Sequence, residues 1–414
     1  MRQGGTELCA AGGILAPLRV TSHQAESNMH PLNSAAAVCG LGITEMGRVY
    51  RSAMQFGVEA VHLALEDAGL DKSDLDGLLI NSGATQGIDL RLHDALGLQE
   101  LNVLTFMQGY GSTAAQMIEY AAMAVHAGMA ETICCVFADA PLVENQRAGA
   151  AYAGRRGTNA IAALPGLFGF AGANAGYALA AQRHMDLYGT TQEQLGTIAI
   201  GQRQWARMNE RATKRDPLDM DGYHASPWVV EPFHVLDCCL VSNGGVAVIV
   251  TSAERARDLR QPPVYIRGFA QGHRHDTGRA EFDPLAVGPG AKLAPKAFAM
   301  ADATLDDVTQ AQLYDCYTYT VIETLEDYGF CPKGEGGAFV EDGKLAPGGS
   351  LPVNTGGGSL SSYYMWGMTP VSEGIIQARG QGGERQAPND LVLVTGNGGI
   401  LNYQAMLLLS PEAA

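Results

Sequence analysis

The sequence predicts an α/β fold made of two similar halves, and three observations predict it. Apolar runs of strand length alternate with segments of helical periodicity along the chain. In one stretch the order is explicit. The run Leu101–Phe106 breaks at Gln108-Gly109-Tyr110-Gly111-Ser112 into the alanine- and methionine-rich segment Thr113–Ala127, and the apolar run Glu131–Phe137 follows. Strand, glycine turn, helix and strand in that order form an α/β unit with parallel pairing. Finally, the chain passes twice through a similar order of elements, each pass ending in an apolar strand after a Gly-Gly turn, first Gly244-Gly245 and then Gly398-Gly399.

Taken in order, Ala35–Gly42 reads as a short strand. Arg51–Gly69 follows as a helix, because Met54, Val58, Val61, Leu63, Leu65 and Ala68 recur at helical spacing. Asp71-Lys72-Ser73-Asp74 caps a further turn, and Asp76–Asn81 is the next strand. Asn145–Ala173 is rich in glycine and alanine without clear periodicity, so it reads as a long functional loop over a site. Asn174–Gly189 and Thr191–Asn209 are helical, and Val246–Val250 is a strand. Pro262–Phe269 opens the second half. There a helix lies within Ala297–Gln312, Leu313–Tyr319 is a strand, Val321–Gly329 a helix, and Leu391–Thr395 and Met406–Leu409 the last strands. The predicted organisation is a mobile leader over residues 1–34, an N-terminal half over 35–257 and a C-terminal half over 258–414. A loop insertion occupies about 140–240, the boundary falls near Arg257–Pro263, and Met29 is a second candidate start.

Composition excludes several function classes. The chain has 414 residues, of which 46% are hydrophobic and 17% charged, enough for a large globular core. A net charge of −16 argues against nucleic acid, which needs a basic footprint. No apolar run approaches the roughly 20 residues of a membrane helix, and the first 35 residues lack the apolar centre of a secretory signal. A soluble, cytoplasmic protein is expected. The eight cysteines include the pairs Cys134-Cys135 and Cys238-Cys239 but no Cys-x-x-Cys, so reduced buried thiols are expected and zinc is not. His273-Arg274-His275 with Asp276 has metal-like spacing, yet nothing else converges on it, and it reads as a solvated loop. His224 and His234 read as packed or capping residues.

Two glycine loops carry the functional signal. One is Pro352-Val353-Asn354-Thr355-Gly356-Gly357-Gly358 running into Ser359–Gly367. The other is Thr395-Gly396-Asn397-Gly398-Gly399, directly after Leu391–Val394. They resemble the C-terminal active-site loops of the thiolase superfamily, where Asn-x-x-Gly-Gly leads into Gly-His-Pro and a strand ends in Cys-x-Gly. Tyr364 takes the place of the family histidine and Thr395 that of the second cysteine. The turn Gly109-Tyr110-Gly111-Ser112-Thr113 matches the nucleophile turn but holds no cysteine, so an acyl-enzyme is not expected. Leu313-Tyr314-Asp315-Cys316 resembles the family's His-Asp-Cys-Phe or Asn-Glu-Ala-Phe loop, with Tyr314 at the Asn or His position.

This constellation resembles the sterol-carrier-protein and lipid-transfer-protein branch, and within it the cysteine-less steroid side-chain aldolases. Supporting segments are Arg183-His184-Met185, Tyr188-Gly189-Thr190-Thr191, Ala225-Ser226-Pro227, Leu236-Asp237-Cys238 and Leu325–Cys331, so the likeness runs from about Ala35 to Leu409. The resemblance implies a fold of five layers, α-β-α-β-α. It also implies retro-aldol cleavage of a β-hydroxyacyl-CoA by a pair of tyrosines, Tyr314 and Tyr364. Tyr110, Gly111, Ser112, Asp315, Thr395 and Gly398 would line the oxyanion pocket. Arg155 and Arg156, with Arg147, are candidates for the CoA phosphates. No cofactor is implied beyond the CoA of the substrate. The implied assembly is a homodimer that joins an OB-fold, zinc-ribbon subunit in a heterotetramer. Chemically the reading is consistent, since a retro-aldol step needs a base and an oxyanion or proton donor but no covalent nucleophile. Its rivals are a carbon–carbon acyltransferase using another residue, and a catalytically silent scaffold subunit.

Overall fold

The computed structural model describes residues 29–151, 170, 172–274 and 287–414. Its strands are β1 (Ala36–Ile43), β2 (Gly77–Ser82), β3 (Val103–Phe106), β4 (Thr132–Asp139), β5 (Trp228–Val230), β6 (Phe233–His234), β7 (Gly244–Ser252), β8 (Val264–His273), β9 (Gln310–Gln312), β10 (Val392–Gly398) and β11 (Tyr403–Ser410). The longer helices are α1 (Ala53–Ala68), α2 (Thr113–His126), α3 (Gly172–Tyr188), α4 (Gln192–Arg207), α5 (Gly290–Ala301), α6 (Thr318–Asp327) and α7 (Met368–Ala378). Helix α1 shows why such elements form. Ser52 and Gln55 make a reciprocal capping box at its start, and Gly69, at φ 73°, closes its end. Between them Phe56, Ala60, Val61, Ala64, Leu65 and Ala68 bury one face.

Nine strands join in the order β3-β2-β4-β7-β1-β8-β11-β10-β9, and β5-β6 form a separate ribbon. Read outward from its centre, the sheet repeats itself. β1 pairs antiparallel with β7, β7 antiparallel with β4, and β4 parallel with β2. Likewise β8 pairs antiparallel with β11, β11 antiparallel with β10, and β10 parallel with β9. Even β3, parallel to β2, has a counterpart in the parallel bridge of Ala311 to Val353. The pairs Ala37–Tyr265 and Val38–Val264 join the two halves edge to edge at β1 and β8.

Helix α2 touches β4 and β7 of the first half and β10 and β11 of the second. In a flat sheet β4 and β10 would lie roughly 24 Å apart at about 4.8 Å per strand, wider than a helix. The sheet therefore folds over, and its halves face each other across α2 and α7. One core lies under α1, a second between the two half-sheets, and a third beneath α5 and α6. This is the five-layer order the sequence implied, with the two sheets joined at one edge.

Three differences from the sequence reading have physical causes. No strand occupies the predicted Leu313–Tyr319: β9 lies just before it, at Gln310–Gln312, and α6 begins at Thr318. Between them Leu313 and Tyr314 give their backbone hydrogens to the side chains of Asn354 and Thr395 instead of a neighbouring strand. Helix α7 was not foreseen: Pro370 sits in its first turn, where no N–H is required, and Gly374 interrupts the apolar pattern. The helix expected within Ala297–Gln312 begins earlier, at Gly290, and ends at Ala301. Most of the predicted loop 145–173 lies outside the described residues, as do Arg155, Arg156, His275, Asp276 and most of the predicted leader.

Candidate active site

Three loops of the second half are laced together at the ends of β9 and β10. Leu313 N–H donates to Asn354 Oδ1 at 2.7 Å, and Tyr314 N–H to Thr395 Oγ1 at 3.2 Å. The Asp315 carboxylate accepts the backbone N–H groups of Ser359 (2.9 Å) and Leu360 (3.2 Å). Those two residues belong to a π-helical turn, Gly358–Ser362, entered through positive φ at Asn354, Gly357 and Gly358. Such turns are uncommon and recur at functional sites. This one delivers Tyr364, whose N–H donates to Ser242 Oγ at 3.1 Å. As a result the phenol oxygens of Tyr314 and Tyr364 meet at 2.8 Å. Tyr314 is buried, whereas Tyr364 is half-buried.

The first half supplies the facing turn at the start of α2. Gly111 lies against Tyr314: a Cβ there would sit 2.3 Å from Cζ and 2.6 Å from the hydroxyl. Ser112 is buried and its hydroxyl donates to Gly109 O at 2.7 Å, so it holds the turn. Tyr110 occupies the cysteine place at φ 56° and is 52% exposed, although Gly109, Gly111, Ser112 and Thr113 around it are buried. Gly398 packs on this same turn, with room for no Cβ beside Gly109 O and Tyr110 Cβ. The structure thus brings Tyr314, Tyr364, Tyr110, Gly111, Thr395 and Gly398 together. It gives Ser112 and Asp315 the work of fixing loops. Arg147, the described candidate for a CoA contact, is exposed.

Burial pushes the Tyr314 hydroxyl well above the ordinary phenol range, with the Cys316 and Cys239 thiols adding to the rise and the Tyr364 hydroxyl opposing it. Tyr314 therefore rests as a neutral phenol at physiological pH. Burial also raises Asp315, to about 7, against the opposing pull of the Ser359 and Leu360 amides. No thiol near the pair is activated: burial raises Cys239 and Cys316 as well. Cys134 and Cys135 lie within β4, fully buried, and are raised the same way. These are the opposite of a nucleophile's surroundings.

Several site residues escaped the sequence reading. Asn397 accepts the Tyr177 hydroxyl at 2.9 Å and reaches Tyr314 O at 3.4 Å, so it ties α3 to the Tyr314 loop. Its place in the glycine turn was visible, but its partners were not. Trp366 and Tyr403 flank Tyr110, with ring centres 6.0 and 6.1 Å away. His234 is buried against Trp228 with ring centres 3.6 Å apart, and the half-exposed His224 pairs with Glu193 at 3.6 Å. His234 is thus a packing residue, and His224 lies at the surface. Among the described residues no cluster of His, Cys, Asp and Glu could hold a metal, and no helix is long and apolar enough to cross a membrane.

Comparison with known proteins agrees with this geometry. Residues 270–411 match the family model described as "Thiolase C-terminal domain-like". The chain is 36% identical over 388 residues to the "Steroid side-chain-cleaving aldolase" of Thermomonospora curvata, covering 90% of this chain and 97% of that protein. It is 34% identical to the "17-hydroxy-3-oxo-4-pregnene-20-carboxyl-CoA lyase" of Mycobacterium tuberculosis, covering 89% and 98%. A solved structure, the "Ltp2-ChsH2(DUF35) aldolase", superposes with a TM-score of 0.80 at 35% identity, covering 92% of this chain and 98% of the other. With the five-layer fold, the glycine-turn loops and a tyrosine pair at the places of the thiolase histidine and of the loop Asn or His, this chain belongs to the thiolase superfamily, in the branch of the steroid side-chain-cleaving aldolases.

Proposed function

We propose that this chain is a carbon–carbon lyase that cleaves a β-hydroxyacyl-CoA by a retro-aldol reaction, on a steroid substrate of the kind its relatives' names describe. The observation that carries this reading is the 2.8 Å contact between the Tyr314 and Tyr364 hydroxyls in a site whose turns hold no activated thiol and no imidazole. Tyr364, half-buried, is the group that meets the substrate hydroxyl. Tyr314, buried and neutral, donates to the Tyr364 oxygen and so stabilises Tyr364 as the phenolate that accepts the substrate proton.

For a 17-hydroxy-steroid-20-carboxyl-CoA the step balances without further reagents. Tyr364, as its phenolate, takes the 17-hydroxyl proton, the C17–O bond becomes a carbonyl, and the C17–C20 bond breaks. Its electron pair passes into the thioester as an enolate, which takes that proton at C20 from the Tyr364 hydroxyl and so restores the phenolate. The products are a 17-ketosteroid and propionyl-CoA. Proton transfer alone accomplishes this, so CoA enters only as part of the substrate.

The same reading includes partners. A DUF35 protein is named in the solved relative, and a subunit of that class, with an OB-fold and zinc ribbon, is proposed to complete this site in a heterotetramer. Homodimerisation is supported by β3, an edge strand with exposed Leu104 and Phe106. The setting proposed is the cytoplasm.

The test is direct. The purified chain, alone and with the DUF35-type subunit, is incubated with the 17-hydroxy-steroid CoA thioester, and products are followed by mass spectrometry. Ketosteroid and propionyl-CoA in equal amounts are expected. A covalent acyl-enzyme formed from labelled acyl-CoA, with no ketosteroid, would replace this reading with acyl transfer.

A further inference from the structure

Tyr110 has no part in the proton transfers above, yet the fold goes to unusual lengths to present it. Its φ of 56° lies in the left-handed region, which bulky residues rarely adopt. Its ring is half-exposed at the centre of an otherwise buried turn. Thr113 Oγ1 accepts Gly109 N–H and donates to Tyr110 O at 2.8 Å, while Gln108 Oε1 takes the Tyr110 N–H at 3.0 Å. The strained backbone is thereby pinned from both sides.

Around it stand three more rings. Trp366, itself at φ 49°, lies 6.0 Å from Tyr110 and is backed by Phe137 at 5.4 Å. Tyr403 lies 6.1 Å away on the other side. Two glycines are cut to fit these tyrosines. At Gly398 a Cβ would fall 2.6 Å from Tyr110 Cβ, and at Gly399 one would fall 2.3 Å from Tyr403 Cε2. The Gly-Gly turn that ends β10 therefore seats two rings next to each other, tilted by 45°, and Tyr110 itself adjoins the Gly111 that seats Tyr314. A pair of backbone outliers beside the reacting groups, supporting a group half-open to solvent, marks a binding surface.

We infer that Tyr110, Trp366 and Tyr403 form an aromatic wall that binds the fused-ring half of the substrate and sets its specificity. Flat aromatic faces match a flat aliphatic polycycle, against which they gain apolar contact over a wide area. The narrow, flexible pantetheine chain offers no such face. In thiolases this position belongs to the nucleophile, so here the loss of the thiol and the gain of ring recognition are one substitution. The inference rests on the steroid reading above but concerns binding, so it is tested without turnover.

The probe is tritiated androst-4-ene-3,17-dione, the ketone product, in equilibrium dialysis with the full chain, with and without the DUF35-type subunit. Tyr110→Ala should bind it about tenfold more weakly and Tyr110→Phe within about twofold of wild type, because the ring face and not the hydroxyl makes the contact. Tyr110→Gly guards against a misfolded variant. Glycine relieves the positive φ, so its melting temperature should hold or rise while steroid binding falls. Unchanged steroid affinity in the alanine and glycine variants overturns the wall. So does a wild type that binds no steroid, or a glycine variant that loses stability and binding together. If lyase turnover is absent while Tyr110-dependent binding persists, the reaction reading fails and the wall stands.

Discussion

The two halves of the sheet share one topology, yet they fasten their equivalent loops in different ways. In the first half the loop after β2 is held by one carboxylate. Asp139 accepts the N–H groups of Ala84 (2.6 Å) and Thr85 (3.0 Å) and the Thr85 hydroxyl, and Gly83 packs directly against it. Nothing there points at a ligand. In the second half the loop after β9 is held by neutral acceptors, Asn354 and Thr395, which leave the Tyr314 side chain free to meet Tyr364. The outer cores differ in the same sense. Under α1 the buried cluster is aliphatic apart from Phe56, Tyr265 and the thiols of Cys39 and Cys134, whereas the opposite outer core holds Tyr177, Tyr223, Tyr314, Tyr317, Tyr319 and Tyr328. The two halves share the scaffold, and the paired phenols of Tyr314 and Tyr364 lie where the halves diverge.

The largest effects should separate the halves. Tyr364→Phe and Tyr314→Phe should each lower kcat by about 10²–10⁴ with little change in melting temperature, because each removes one hydroxyl from a site of proton transfer. Near wild-type turnover in both would remove the tyrosines from the mechanism. Asp139→Asn should do the reverse. It weakens the carboxylate that gathers the Ala84–Thr85 loop and should cost about 1–3 kcal/mol in denaturant unfolding, with kcat per folded molecule nearly unchanged. If Asp139→Asn instead abolishes turnover at full stability, the first half is not a passive support.

What the sequence disclosed divides along the same line. Strands β2, β4, β7 and β10 were legible because burial on both faces writes a continuous apolar run. The meeting of the Tyr314 and Tyr364 loops was legible through the family loops that flank them. The strand expected over Leu313–Tyr319 was not one, because Asn354 and Thr395, 41 and 81 residues away, take the hydrogens a neighbouring strand would have taken. No local pattern records such a substitution of partners. Ser242 beneath Tyr364 was hidden for the same reason, being 122 residues away. Helix α7 was hidden by Pro370 and Gly374, whose usual meaning is a break.

Asp315 makes a smaller, pH-dependent test. Its carboxyl, raised to about 7 in the fold from an ordinary 3.8, keeps its proton where the unfolded chain has lost it. The stability it contributes is complete below about pH 4 and is lost as pH rises through 7, by an amount of order a few kcal/mol. Asp315→Asn should erase that part of the slope. Comparing unfolding midpoints of the two proteins at pH 5 and pH 8 should show the wild type losing more on the alkaline side. Equal losses would mean that Asp315 is already ionised in the fold, held by the Ser359 and Leu360 amides.

The smallest effects belong to the cysteines, and they test the comparison at the point where a thiolase would differ most. Cys239 lies within hydrogen-bonding reach of Tyr364, and Cys316 Sγ lies 3.9 Å from Asn397 Oδ1. Proximity alone makes them candidates for a displaced nucleophile. Their surroundings argue otherwise: both thiols are held above their ordinary range by burial, and neither sits at the start of α2, where a helix dipole would favour a thiolate. Cys239→Ala and Cys316→Ala should therefore keep turnover within about fivefold of wild type, the residual loss reflecting looser packing behind the phenols. Cys134→Ala, inside β4, should lower stability more than activity. If Cys316→Ala abolished turnover and the wild type formed a covalent adduct with labelled acyl-CoA, the second half would hold a relocated thiol, and the tyrosine pair would be its support.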